Sequence, residues 1–159
     1  MSTFNFREKI VISKSAKGTA ALGKRAAERL VKQCPRDGAF VLALRGGLGS
    51  GKTTFLQGFA KGLGIKEKII SPTFVLMKKF SIPNYQLLTA NCKFFYHIDC
   101  YRLGKPEEIL ALGWPEIIAN PKNIVAVEWP EKIKKFLPEE TIFLNFKFVN
   151  KNERNIEIT

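Results

Sequence analysis

Residues 46–53 of this chain, Gly46-Gly47-Leu48-Gly49-Ser50-Gly51-Lys52-Thr53, spell G-x-x-x-x-G-K-[ST], a pattern suited to holding the phosphates of ATP or GTP. Each residue type answers a physical need. Glycines let successive backbone N–H groups converge on phosphate oxygens without side-chain collisions. A helix that starts where the loop ends offers its N-terminal N–H groups and dipole to the same oxygens. Lys52 supplies an ammonium for the terminal phosphates, and the Thr53 hydroxyl is a ligand for Mg²⁺. Leu48, Gly49, Ser50, Gly51, Lys52, Thr53 and Thr54 are therefore the expected nucleotide-binding residues.

Such a loop works between a buried strand and a helix. Residues 39–44 form a short apolar run, as a strand buried on both faces requires. Residues 53–63 place Phe55, Leu56, Phe59, Ala60 and Leu63 at helical spacing, with Gly62 or Gly64 as the stop. Upstream, residues 8–12 read as a first strand. Ser13 or Ser15 then caps a helix reaching about Lys32, with Ala20, Leu22, Ala26, Ala27, Leu30 and Val31 as its apolar stripe. Downstream, residues 69–74 lead into a strand that ends near Phe80, residues 81–93 read as a hairpin tip, and residues 94–98 return as a strand ending at Asp99. Pro106 and Pro115 open two short helices. Residues 124–127 are a second apolar strand ending at Glu128. Ile142, Leu144, Phe146 and Phe148 alternate as a strand that residues 154–159 can pair with. Together these elements predict one domain over residues 1–159, an α/β sandwich with a mixed sheet.

A phosphate loop needs a carboxylate at the end of a neighbouring strand to hold Mg²⁺, directly or through water. Glu128 and Asp99 both stand at strand ends, where α/β proteins place their ligands. Ser71-Pro72-Thr73 lies where a switch segment could reach the terminal phosphate, although the same string is ordinary turn chemistry. Trp129, next to Glu128, could cover the site or plug the core. His97, the only histidine, sits inside a strand and suits a satisfied core position better than a catalytic base. Arg102 stands where it could pair with phosphate or with Asp99.

Composition bounds the rest. A hydrophobic content of 45% argues against disorder, no apolar run is long enough for a membrane span, and the start does not have the form of a signal peptide. Cys34, Cys92 and Cys100 lack metal-type spacing, so reduced thiols in a cytoplasm are expected. The net charge of +12 suits nucleic acid or an acidic partner, but its lysines are scattered as on an ordinary solvated surface. GTP specificity is unsupported, because the nearest string to Asn-Lys-x-Asp is Asn150-Lys151-Asn152-Glu153. A small-molecule kinase usually carries lid arginines, and after the loop this chain has only Arg102 and Arg154.

The motifs in order resemble the TsaE (YjeE) family, P-loop ATPases of the bacterial pathway that makes threonylcarbamoyladenosine in tRNA. The matching residues are Thr19-x-x-Leu22-Gly23, Gly49-x-Gly51-Lys52-Thr53-Thr54-Phe55, Ser71-Pro72-Thr73-Phe74, His97-Ile98-Asp99-Cys100-Tyr101-Arg102-Leu103, Leu112-Gly113 and Glu128-Trp129-Pro130-Glu131. The resemblance covers residues 13–138. It implies an α/β P-loop NTPase-like domain with a mixed, mostly parallel central sheet flanked by helices and antiparallel additions.

The resemblance further implies binding of ATP or ADP with Mg²⁺ held by Thr53 and Glu128. Lys52, Thr73, Asp99, Glu128 and Trp129 carry turnover, and Ala16 and Glu131 neighbour the base and ribose. It implies work with TsaB and TsaD, where TsaD transfers threonylcarbamoyl to tRNAs reading codons that begin with A. The ATPase, weak by itself, would reset that complex in the cytoplasm. Two features depart from the family: Gly47 stands where many relatives have Asp, and the hairpin at residues 81–93 is somewhat long. A P-loop kinase and a nucleotide-switched tRNA-binding module are the rival expectations.

Overall fold

The structure is a computed structural model that describes residues 9–33, 37–71, 75–83 and 92–159. Its centre is a seven-stranded sheet in the order β1-β7-β6-β2-β5-β4-β3. The strands are β1 (Ile10–Ser13), β2 (Phe40–Arg45), β3 (Met77–Ser81), β4 (Phe94–Asp99), β5 (Asn123–Glu128), β6 (Ile142–Phe148) and β7 (Arg154–Ile158). β6, β2, β5 and β4 run parallel in the middle, while β1, β7 and β3 join antiparallel at the flanks. This is the mixed, centrally parallel α/β sheet expected from the sequence.

The parallel centre explains the uninterrupted apolar runs. Along β5, Ile124 and Ala126 face one core cluster while Val125 and Val127 face another. Helices cover both sides there, so positions 124–127 are all buried and apolar. Helices α1 (Ala16–Val31) and α2 (Lys52–Gly62) lie on the first side. The second side is covered by α3 (Trp114–Ala119) and the 3₁₀ segments Pro106–Leu112 and Pro130–Phe136. At the β1 flank one face meets water instead: Val11 and Ser13 are buried, whereas Ile10 and Ile12 point outward.

Sequence and structure differ most at β6. Its alternating pattern reads as an added hairpin, yet β6 enters the sheet beside β2 and parallel to it. The chain reaches that place by crossing the second face through the Pro130–Phe136 segment, which buries Ile133 and accepts a 2.8 Å hydrogen bond from Trp114 Nε1 at the Phe136 carbonyl. A crossover this short carries no helical periodicity to read. The first strand begins at Ile10 and includes Ser13, so Ser15 rather than Ser13 caps α1, accepting from the Gly18 N–H at 2.9 Å. Thr73 and the hairpin tip at residues 84–91 lie outside the described residues.

Helices α1 and α2 touch at backbone level. A Cβ built on Gly58 would lie 1.8 Å from the Ala20 carbonyl oxygen, and one on Gly23 would lie 2.0 Å from that of Phe55. This close crossing brings the N-terminal turn of α1 up to the loop before α2, where Thr19 Cγ2 is 3.7 Å from the Cβ position of Gly51. A helical Gly→Ala change ordinarily stabilises by about 1 kcal/mol. Gly58→Ala is expected to reverse that sign and destabilise by about 2 kcal/mol or more, because the methyl group forces the helices apart. Urea unfolding of the variant checks this, and a stabilised protein would contradict the close crossing.

Candidate functional site

β2 ends at Arg45 and α2 begins at Lys52, so the glycine-rich loop spans the gap at the carboxyl edge of the parallel strands. Gly49 and Gly51 have φ of 73° and 102°, conformations that L side chains rarely adopt. Gly51 is the N-cap of α2 without a side-chain cap, and the first turn of the helix carries no acidic residue. Its leading N–H groups therefore lack intrahelical partners and point out of the helix end, an arrangement that favours an anion. Gly47 is different: a Cβ there meets nothing within 4 Å, so a side chain at this position faces no steric barrier.

Lys52 is 4% exposed, and its Nζ donates to the carbonyls of Gly46 at 2.6 Å and Gly47 at 2.9 Å. Trp129 places its ring 5.1 Å from the same ammonium, within cation–π range, and Tyr101 packs on that indole at 5.1 Å between centroids. Trp129 thus packs over the lysine while also resting, partly buried, against the second core cluster. Burial pushes the Lys52 pKa down, while the charges of Glu128, Asp99 and Glu131, in that order, push it up.

Sheet register brings the two strand-end acids together. Asp99 and Glu128 are paired residues of neighbouring parallel strands, and both share the face of Phe95 and Ile124, on which α2 lies. Asp99 is held by the Tyr101 N–H at 2.9 Å and by a long 3.4 Å bond from Ser71 Oγ. Glu128 is 3% exposed, and its Oε1 lies 2.8 Å from His97 Nε2.

These groups line one cleft of about 510 Å³. Of the expected residues, Ala16, Leu48, Gly49, Ser50, Gly51, Lys52, Thr53, Thr54, Asp99, Glu128 and Trp129 all border it. Glu131 does not, being exposed on the turn after Trp129, and Thr73 lies outside the described residues. Arg102 borders the cleft too.

Sequence reasoning missed a wall formed by the β6–β7 turn: Lys151, Asn152 and Arg154. Arg154 spreads over Phe148 at 4.6 Å and its Nη2 donates to the Gly49 carbonyl at 3.3 Å. The available signal was its scarcity, since Arg154 is one of only two arginines after the loop.

The donor set suits a nucleotide with Mg²⁺. Hydroxyl and carboxylate oxygens from Thr53, Asp99 and Glu128 are the hard ligands that Mg²⁺ takes. Among the described residues no group of three or more His, Cys, Asp or Glu could hold a metal ion. Among the same residues, no helix is long and apolar enough to cross a membrane.

By fold, the sheet and its strand–loop–helix define a P-loop NTPase-like α/β protein. Residues 13–156 match the family model "Threonylcarbamoyl adenosine biosynthesis protein TsaE", and the chain belongs to the TsaE family. That match extends into β7 and so includes Arg154. The chain is 36% identical over 136 residues to the tRNA threonylcarbamoyladenosine biosynthesis protein TsaE of Haemophilus influenzae, covering 86% of this chain and 79% of that one. With its Treponema pallidum namesake it shares 33% identity over 147 residues, covering 92% and 97%. The crystal structure of Bacillus subtilis YdiB superposes with a TM-score of 0.68 at 29% identity, covering 94% of this chain and 82% of that one.

Cys100 follows Asp99 directly and is fully buried. Burial, reinforced by the charges of Asp99 and Glu131, pushes its thiol pKa up to about 12. The native protein is therefore expected to leave Cys100 unalkylated by iodoacetamide at pH 8, whereas urea exposes it to rapid reaction. Peptide mass spectrometry reads the difference.

Proposed function

We propose that this chain is a Mg²⁺-dependent ATP-binding protein and weak ATPase that serves threonylcarbamoyladenosine modification of tRNAs reading codons that begin with A. It acts with TsaB-like and TsaD-like proteins in the cytoplasm, driving turnover of their complex rather than transferring the threonylcarbamoyl group. The observation that carries this reading is the buried Lys52 ammonium at the N-terminus of α2, beside two paired strand-end carboxylates, in a chain of the TsaE family.

Each residue has a role that follows from its place. Loop N–H groups and Lys52 neutralise charge that develops on the phosphoryl oxygens. To serve this way, the Lys52 ammonium exchanges its loop carbonyls for phosphate oxygens. Thr53 and Glu128 hold the Mg²⁺, which supplies further positive charge to the phosphates. Asp99, at the neighbouring strand end, orients the attacking water. Trp129 and Tyr101 shield the ammonium from solvent and strengthen its pull on the phosphates. Arg154 and the first turn of α1 flank the loop, where they bound the space for the nucleoside. Phosphoryl transfer to water needs positioning and electrostatics, so no covalent nucleophile is required.

Lys52→Ala is expected to weaken ATP binding by about 10-fold or more, from loss of charge-assisted hydrogen bonds worth about 1.5–3 kcal/mol. Equilibrium dialysis with ATP reads this, and parental affinity in the folded variant would sink the site. Phosphate release is then measured for the chain alone, with its TsaB-like and TsaD-like partners, and with tRNA added. Stimulation only when both proteins are present supports the reading; equal rates throughout remove the partners from it. A phosphorylated acceptor without phosphate release would identify a kinase instead.

A further inference from the structure

His97 is fully buried, yet it has one polar contact, the 2.8 Å approach of Nε2 to Glu128 Oε1. Its Nδ1 is buried without a hydrogen-bond partner among the described residues. An unsatisfied buried polar atom costs about 1–3 kcal/mol, so an apolar residue would fill this place more cheaply. Strand geometry gives the ring its reach. His97 is in register with Ala126, two residues before Glu128 on the same face, and the small alanine side chain leaves the ring room to extend toward the carboxylate. An ionised carboxylate only accepts hydrogen bonds, so the bond places the proton on Nε2.

We propose that His97 is a positioning residue whose Nε2–H···Oε1 bond holds the Glu128 carboxylate in the orientation that receives the divalent cation. This rests on the reading of Glu128 as a Mg²⁺ ligand. The restraint matters because Glu128 is the foremost charge acting on Lys52. A carboxylate free to turn would pair with that ammonium, and the pair would compete with both cation and phosphate. With Oε1 tied to His97, the carboxylate is fixed where β5 ends at the cleft. Hydrogen-bonded partners of metal-binding carboxylates commonly carry such a role.

The test compares the parent with His97→Leu, His97→Asn and His97→Gln. Leucine removes the donor, and asparagine keeps polarity but is too short. Glutamine carries its amide nitrogen about as far from Cα as His Nε2. Binding of a fluorescent ADP analogue is measured across a Mg²⁺ titration and again in EDTA, with thermal unfolding alongside. For His97→Leu and His97→Asn the Mg²⁺ midpoint is expected to rise by about 10–100-fold, while binding in EDTA stays near parental. His97→Gln is expected to remain within about 3-fold of the parent midpoint, as a retained donor predicts. A parental midpoint in folded His97→Leu or His97→Asn overturns the proposal, and so does a His97→Gln midpoint as high as that of His97→Leu. If only His97→Gln and the parent fold, the bond is structural and the positioning role is lost. A parent without any Mg²⁺ linkage would instead strike the ligand reading of Glu128 itself, and the positioning role with it.

Discussion

The register between β4 and β5 is the constraint on which the site depends. Pairing Asp99 with Glu128, and Glu128 with Leu44 on β2, sets the two acids side by side at the edge where the glycine-rich loop leaves β2. A slip of one residue would turn either acid to the other face of the sheet, away from α2. The alternating commitment of neighbouring residues opposes that slip: Phe40, Leu42, Phe95, Ile124 and Ala126 belong to the core on one side, and Val41, Tyr96, Ile98, Val125 and Val127 to the core on the other. The same register places His97 opposite Ala126 and within reach of Glu128.

Gathering these charges in a protein interior is costly, and the surroundings compensate it. The Lys52 ammonium gives up water for two loop carbonyls, an indole face and the field of three carboxylates. Trp129 reaches that indole position from a left-handed backbone conformation, φ 57°, the only non-glycine residue described with positive φ. Such a conformation costs of order 1–3 kcal/mol and persists where surrounding contacts over-determine it. Here those contacts are Tyr101 on the ring and the strand end at Glu128 immediately before it. The strain and the buried charge sit at one place, as they do at working sites.

Much of this was legible in the chain. The loop pattern, the two apolar strands and their terminal acids could be read from residue type and period, since local geometry demands them. The stripe of α1 was equally local, while the choice of Ser15 over Ser13 as its cap waited on where β1 ends. The insertion of β6 beside β2 was not, because an alternating strand looks the same whichever neighbour it pairs with, and the crossover that decides it is a 3₁₀ segment with no period. Nor was the Arg154 wall: the residue is 105 positions from Gly49 in sequence, and only the β7–β6–β2 pairing brings it over the loop. Glu131, near Glu128 in sequence, stands exposed beyond the lining of the cleft, although its charge still reaches Lys52.

By itself, then, the sequence determined which groups this protein brings to a site: a phosphate-type loop, its lysine and threonine, and acids at strand ends. It did so because those features are set within a few residues by glycine conformations, helix starts and strand periodicity. Tertiary structure alone decided how the groups meet. The close α1–α2 crossing sets one wall of the cleft and the β6–β7 turn another, and the parallel register turns two distant acids into neighbours. It also gave His97, buried as its place inside a strand led one to expect, Glu128 as its partner, because a contact across strands depends on register, and register is settled by the whole packed sheet.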